Sequence, residues 1–436
     1  MRLANHPPLL RVLLLTELGE RFGAYLLFAL LTIYLTEQIG WSAGPALRVN
    51  GAFLALCYGL AVPAGCLADR ARAHSTAITA GCALMTAGYL FLAIGSSWAC
   101  LAGLLLLAVG SGLFKPSMPA LIGELYADTD LRKEEAFTLF YASANLGALF
   151  APPIGEWLRQ TYGWAATFGF AALVQLGAMA SFRFAWRAVS RSAGQKRQPF
   201  VPQWSGKTLG LPRCRDERRR LHTFLFLTVL SLWFWIGLQQ TSGSLMLFAR
   251  DHTIRYVKIP LSMGWKQCEI PVGWLASIHA GLVIALAPLI TNLWSWRRRI
   301  GQPISGPGQM AWGMALLALA YGSLILPICS VAGGRIEFGW LLLCYTALSL
   351  AEICVGPLGY SLVSQCAPAG YAGMLMGAWL AVTALGSFLA GEMGARLWTR
   401  WAPQQFFTWL AVGSIVCAVL AGTQRCQRPR SLRDNP

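Results

Sequence analysis

Glu17, Glu20 and Arg21 interrupt a long run of apolar residues, and their spacing of three and four places all three on one face of a helix. Arg21 can then sit between two carboxylates, and a proton arriving on either acid would loosen that acid's hold on the cation. This is a proton-coupling device; the plainer alternative is a static ion pair that pins the helix to its neighbours. Lys115 is followed by Pro116 and Pro119, which should bend its helix and release backbone groups beside the ammonium. Its charge would serve equally to neutralise an acid of the first cluster or to receive a substrate carboxylate. Glu352, just before Gly356 and Pro357, is the strong acid near the middle of a later apolar stretch, suited to bind an amine or carry a proton. His279 could titrate near neutral pH or be a hydrogen-bonded packing residue. Glu392 stands nearer the end of its stretch.

The elements holding these groups follow from composition. Of 436 residues, 56% are hydrophobic and only 12% charged, too little polar surface to wrap a water-soluble globule of that size. Apolar stretches recur near 9–35, 48–68, 76–97, 100–124, 136–159, 164–186, 221–249, 272–294, 309–332, 338–364, 372–396 and 403–423. Each is long enough to cross a hydrocarbon core about 30 Å thick. The expected class is an all-α membrane protein of twelve transmembrane helices. The first stretch is too long for a signal-peptide core and carries three ionisable residues, so it is expected as a retained span. An ionisable side chain at the bilayer centre costs about 2.5–3.5 kcal/mol on insertion scales, so each one needs a partner or water.

The net charge of +17 could suggest nucleic acid, but the basic residues fall in short connections between spans, which topology explains better. With the N-terminus in the cytoplasm, Arg2, Arg11, Arg70, Arg72, Arg132, Lys133 and Arg297 to Arg299 lie inside. So does the longest connection, Arg187 to Arg220, with ten Lys or Arg. Both termini are then cytoplasmic, in a multi-pass protein of the plasma membrane, or of the inner membrane in a Gram-negative cell. The divisions are 1–190, a six-helix bundle; 191–220, a basic cytoplasmic linker; 221–424, a second six-helix bundle; and 425–436, a basic cytoplasmic tail. The linker, mixing Pro, Gly, Gln and basic residues, suits a tether near anionic lipid headgroups. The loop from Arg250 to Pro271 is the main outside segment, with no task assigned. Twelve cysteines stand singly without C-x-x-C spacing, and no Ser-His-Asp order, H-E-x-x-H or phosphate-cradling loop is present. Neither an enzyme nor a metal site is expected.

Glu17-Leu18-Gly19-Glu20-Arg21-Phe22-Gly23-Ala24-Tyr25 resembles the E-x-x-E-R-F-x-Y-Y signature of the proton-dependent oligopeptide transporter family. Phe114-Lys115-Pro116-Ser117 with Leu121 to Tyr126 is similar to its K-P-N…L-V-G-x-L-Y segment, and Phe140 to Ala148 to its F-Y-x-x-I-N-x-G-S segment. Gly65 to Arg70 is similar to the gating motif of many major-facilitator proteins. The resemblance implies a major-facilitator fold of two six-helix bundles, working by alternating access with protons as coupling ion and no other cofactor. It implies proton coupling through Glu17, Glu20, Arg21 and Glu352, and gating at Asp69 and Arg70. It implies substrate binding by Tyr25, Tyr58, Lys115, Asn145, Gln240, His279, Glu352 and Trp379, with Lys115 and Glu352 meeting opposite ends of a peptide. The expected function is a symporter of di- and tripeptides or peptide-like compounds, working as a monomer among membrane lipids, with no nucleic-acid partner.

The chain also departs from the family pattern. Ala24 replaces the first tyrosine of the signature, Phe28 stands where a basic residue is frequent, and Gln239 where an acid is common. His279 and Ala280 replace an Asn-Pro pair, and Gly356 replaces a serine. These lost polar handles keep an alternative open: the same fold carrying an organic anion, nitrate or a natural product, with export as one direction.

Overall fold

The computed structural model describes residues 6–71, 73–126, 130, 132–192, 215–261, 264–302, 304–331, 334–359, 361–362 and 372–424. Most of the expected linker 191–220 and all of the tail 425–436 lie outside these residues. The helices, in chain order, are α1 (Pro8–Glu37), α2 (Ala43–Gly59), α3 (Ala61–Ala71), α4 (His74–Ala93), α5 (Ser97–Gly123), α6 (Arg132–Ser192) and α7 (Arg215–Leu238). They continue with α8 (Ser244–Asp251), α9 (Trp274–Arg299), α10 (Gly306–Ser330), α11 (Phe338–Val355), α12 (Ala372–Met393) and α13 (Pro403–Thr423).

Among the described residues eleven helical stretches are long and apolar enough to cross a bilayer. One of them, Glu135–Arg187, has 53 residues, which at 1.5 Å each is about 80 Å, more than twice a hydrocarbon core. It breaks at Gly163, whose φ of 83° is a left-handed conformation that glycine adopts without a Cβ penalty. α6 therefore supplies two crossings, and the eleven stretches hold twelve. The outer faces are apolar: Leu15, Leu105, Leu173, Phe184, Leu289, Leu326 and Val419 are all exposed. In water so much exposed apolar surface would associate; in lipid it is the solvated face.

Proline explains where several helices stop. The expected single second span is divided at Leu60 between α2 and α3, because Pro63 has no N–H for the carbonyl of Gly59. α11 ends at Val355, two residues before Pro357, which has no N–H for the carbonyl of Ile353. α5, by contrast, continues as one helix with Pro116 and Pro119 inside it. The segment after α8 also differs from a plain loop. Its strands Tyr256–Leu261 and Gly264–Glu269 pair as an antiparallel hairpin, and Thr253–Ile254 pairs in parallel with Ile336–Glu337.

α1 is the most enclosed of the spans and lies between the two arms of α6. Glycines set the approach: a Cβ on Gly147 would stand 2.7 Å from Cβ of Arg21, one on Gly155 2.7 Å from Leu26, and one on Gly19 2.8 Å from Ala178. Small residues at these positions let backbones close without a clash, the ordinary basis of helix association in lipid.

The two halves meet tightly at one end, where α1 terminates. There a Cβ on Gly51 of α2 would fall 2.6 Å from Cα of Gly391 on α12. Thr32 Oγ1 donates to the Ser242 carbonyl at 2.6 Å, Asn50 Nδ2 donates to it at 3.2 Å, and Arg250 Nη1 donates to Thr36 Oγ1 at 3.0 Å. Toward the opposite end contact thins. The buried residues of α9 are Leu275 and Ser277, both in its first turns. Among the described residues the result is a cleft sealed where α1 ends and open at the other end.

Candidate functional site

The first-span cluster has the geometry its spacing dictates. Arg21 Nε donates to Glu17 Oε1 at 2.6 Å and stands 3.3 Å from Glu20 Oε2. The side chains of Glu17 and Glu20 are 0% and 1% exposed and that of Arg21 16%, so the cation reaches the cleft while the acids lie behind it. Glu17 Oε2 and both oxygens of Glu20 have no hydrogen-bond partner. Buried carboxylate oxygens without donors are costly as charges and are relieved by a proton.

One turn further along the same face come Tyr25 and Phe28, their rings 6.0 Å apart and edge-on, and Phe28 packs against Phe53. Lys115 of α5 extends to this group: its Nζ lies 4.8 Å from the centre of the Tyr58 ring and 5.9 Å from that of Phe28. Among the described residues no carboxylate lies within ion-pair distance of Lys115. A desolvated ammonium over aromatic faces gains cation–π attraction without being neutralised, so it still attracts an anion. Phe28, in place of a basic residue, thus serves as a wall for Lys115.

Across the cleft, His279 of α9 and Glu352 of α11 join: Nε2 of His279 lies 2.7 Å from Oε2 of Glu352, and its Nδ1 lies 2.9 Å from Oγ of Ser349. Both side chains are accessible, at 17% and 35%. A Cβ on Gly281 of α9 would stand 3.5 Å from Leu149 of α6, the helix that packs on α1, so the two walls face one another. No described lysine or arginine pairs with Glu352, and Lys115 and Glu352 do not touch.

The other expected residues lie elsewhere. Gln240 is fully buried, donating from Nε2 to the carbonyls of Ile236 and Ala390 at 3.3 Å each and accepting from the Ser244 hydroxyl. Trp379 is 2% exposed and packs against Gly359. Asn145 donates at 2.8 Å to the Tyr141 carbonyl of its own helix. Asp69 and Arg70 are on α3, with side chains outside the described residues. Gln239, in place of an acid, donates to Ser387 Oγ at 3.0 Å.

Two groups were not foreseen. Ser349 occupies the turn before Glu352 on the same face, a spacing that could have marked it. At the sealed end Glu156, 1% exposed, accepts from Arg159 at 2.7 Å, and Arg159 also reaches Glu37 at 3.1 Å. Glu392 accepts from Arg48 across the halves at 2.5 Å. Among the described residues no group of three or more His, Cys, Asp or Glu could hold a metal ion.

Twelve crossings, a cleft between halves and charged walls facing each other define a multi-pass membrane transporter. The model of the POT family matches residues 75–209 and 205–400, well over half of the sequence, and the chain belongs to that family. The first-span cluster lies before the matched residues, so it is an independent mark of the same membership. Relatives include "Peptide transporter YePEPT" of Yersinia enterocolitica, 27% identical over 90% of this chain and 88% of the relative. "Dipeptide and tripeptide permease A" of Chromobacterium violaceum is 28% identical over 86% and 82%. Among solved structures, a POT family transporter in complex with 5-aminolevulinic acid superposes with a TM-score of 0.84, covering 96% of both chains at 23% identity. One in complex with a thioalcohol conjugated peptide gives 0.82 with the same coverage at 22% identity. The fold is the major-facilitator fold.

Proposed function

We propose that the chain is a proton-coupled symporter of di- and tripeptides or peptide-like compounds, working by alternating access. The observation that carries this reading is the pair of buried, underpartnered acids behind Arg21, on the wall that also presents Lys115, which pairs with no carboxylate among the described residues. A proton on Glu17 or Glu20 removes one of the two charges holding Arg21, which is then freer to turn toward the cleft and join Lys115 in receiving a carboxylate. Glu352 on the facing wall receives the opposite end of the cargo. Cargo charged at both ends thereby leaves neither wall bare. Asp69 and Arg70 gate the far end of α3. The names of the relatives support peptide cargo.

The open end of the cleft faces the cytoplasm in this assignment, with both termini inside and the hairpin after α8 outside. Its site is the plasma membrane, the inner one in a Gram-negative cell. The divisions are bundles at 1–190 and 221–424, a linker at 191–220 and a tail at 425–436, in a monomer that performs no covalent chemistry and needs no cofactor besides protons. The test is uptake of labelled dipeptide into proteoliposomes. Uptake should require an inward proton gradient and lose that requirement with its activity in Glu20→Gln. Gradient-driven uptake by this variant equal to the parent refutes the coupling role.

A further inference from the structure

The hydrogen bonds around His279 give the same heavy atoms two complete arrangements. Ser349 Oγ lies 2.9 Å from His279 Nδ1 and 2.8 Å from the Tyr345 carbonyl, yet a hydroxyl has one hydrogen to donate. With neutral His279, Nε2–H donates to Glu352 and the Ser349 hydroxyl donates to Nδ1. With charged His279, Nδ1–H donates to Ser349 Oγ, whose hydrogen swings to the Tyr345 carbonyl. The change moves one proton between Nδ1 and cleft water and turns one hydroxyl; no bond between heavy atoms is made or broken.

The consequence lies in charge matching. Arg21 and Lys115 balance Glu17 and Glu20, so the α1–α5 wall is neutral, or singly positive with a coupling proton aboard. The α9–α11 wall is singly negative with neutral His279 and neutral with charged His279. An imidazolium at 2.7 Å from Glu352 stands where the ammonium of a cargo would stand.

We propose that His279 determines the charge class of cargo, acting as a resident cation that takes the place of a cargo ammonium at Glu352. In its charged form the cleft accepts peptide-like carboxylates whose amine is acylated or missing; in its neutral form it accepts zwitterions. This rests on the reading of peptide-like cargo given above. Among the described residues, the titratable group against the pair is Tyr345 on α11, its ring 6.1 Å from that of His279, and the facing wall carries Tyr25 and Tyr58. The facing wall also carries Glu17, Glu20, Arg21 and Lys115, and their protonation is common to the parent and the His279 variant, so a comparison of the two isolates His279.

The test compares alanyl-alanine with N-acetyl-alanyl-alanine as stabilisers of the purified full chain from about pH 5 to 8, the span in which imidazole changes charge. A bound ligand raises the unfolding temperature with its occupancy. The parent should prefer the acetylated ligand at the acid end and the free dipeptide at the alkaline end, a reversal of about tenfold each way. His279→Asn, which keeps a donor toward Glu352 and never carries charge, should prefer the free dipeptide throughout. A preference in the variant that tracks the parent at every pH overturns the proposal, as does a parent preference independent of pH. Should His279→Asn not fold, Ser349→Ala serves in its place. It removes the acceptor for Nδ1–H, so the pH of reversal should fall, and an unmoved reversal counts against the proposal. A parent stabilised by neither ligand refutes peptide-like cargo itself, which is a different result from a parent that binds both without pH-dependent preference.

Discussion

The two walls of the cleft use the same currency of an acid beside a base, but they bury it to different depths. Glu17 and Glu20 are shut behind Arg21 by α6, whose Gly147 and Gly155 bring its backbone against α1. Glu352 and His279 keep a third and a sixth of their side chains open. A deeply buried pair is expensive to separate, whereas an accessible one is readily exchanged for a ligand or water. The difference suits one wall to hold and pass a proton and the other to select what is carried.

That contrast breaks most readily at Arg21. Arg21→Met leaves two buried acids without a cation and should cost about 3–5 kcal/mol of stability with loss of uptake. Part of the lost stability should return on acidification, since protonation removes the uncompensated charges. Glu352→Gln on the open wall should cost under about 1 kcal/mol in the same unfolding measurement; equal losses at both sites would erase the distinction. Next in size is the packing behind the acids. Gly147→Val should cost about 1–3 kcal/mol by forcing α6 from α1, whereas Gly281→Ala, whose added carbon meets Leu149 at an ordinary 3.5 Å, should stay within about 0.5 kcal/mol.

Lys115→Met should leave folding intact and raise KM for a carboxylate-bearing cargo by about ten- to a hundredfold, with Lys115→Arg recovering part of it, since a charge-assisted hydrogen bond contributes about 1.5–3 kcal/mol. An equal effect on a cargo lacking the carboxylate would show that Lys115 positions the aromatic wall instead. The smallest effect is expected at Arg48→Ala. Its side chain is half exposed and Arg396 remains 3.1 Å from Glu392, so stability should change by less than about 1 kcal/mol.

Much of this arrangement was legible because lipid is an unforgiving solvent. The apolar runs gave the crossings, and three charges at spacing three and four could share one helical face in only one way. The break at Gly163 falls between the expected stretches 136–159 and 164–186, where Arg159, Gln160 and Thr161 interrupt the apolar sequence. Pro63 and Pro357 divide or end helices inside the expected stretches 48–68 and 338–364, breaks that hydropathy alone does not mark, whereas α5 continues through Pro116 and Pro119. The His279–Glu352 pair lay beyond reach for another reason. The residues are 73 apart, and no pattern along a chain says which faces of two distant helices will meet. Gln240 and Trp379 show the converse: residue types suited to binding are here consumed by interior packing.

The meeting of Gly51 and Gly391 has a mechanical consequence. Where two backbones touch with no side chain between them, the halves have a fulcrum whose arms are whole helices. The 26 residues of α9 make an arm of about 39 Å, so a rotation of about 15° would swing its far end by about 10 Å. A side chain at either glycine would prop this bearing apart and shorten the stroke while every charge on the walls stayed in place.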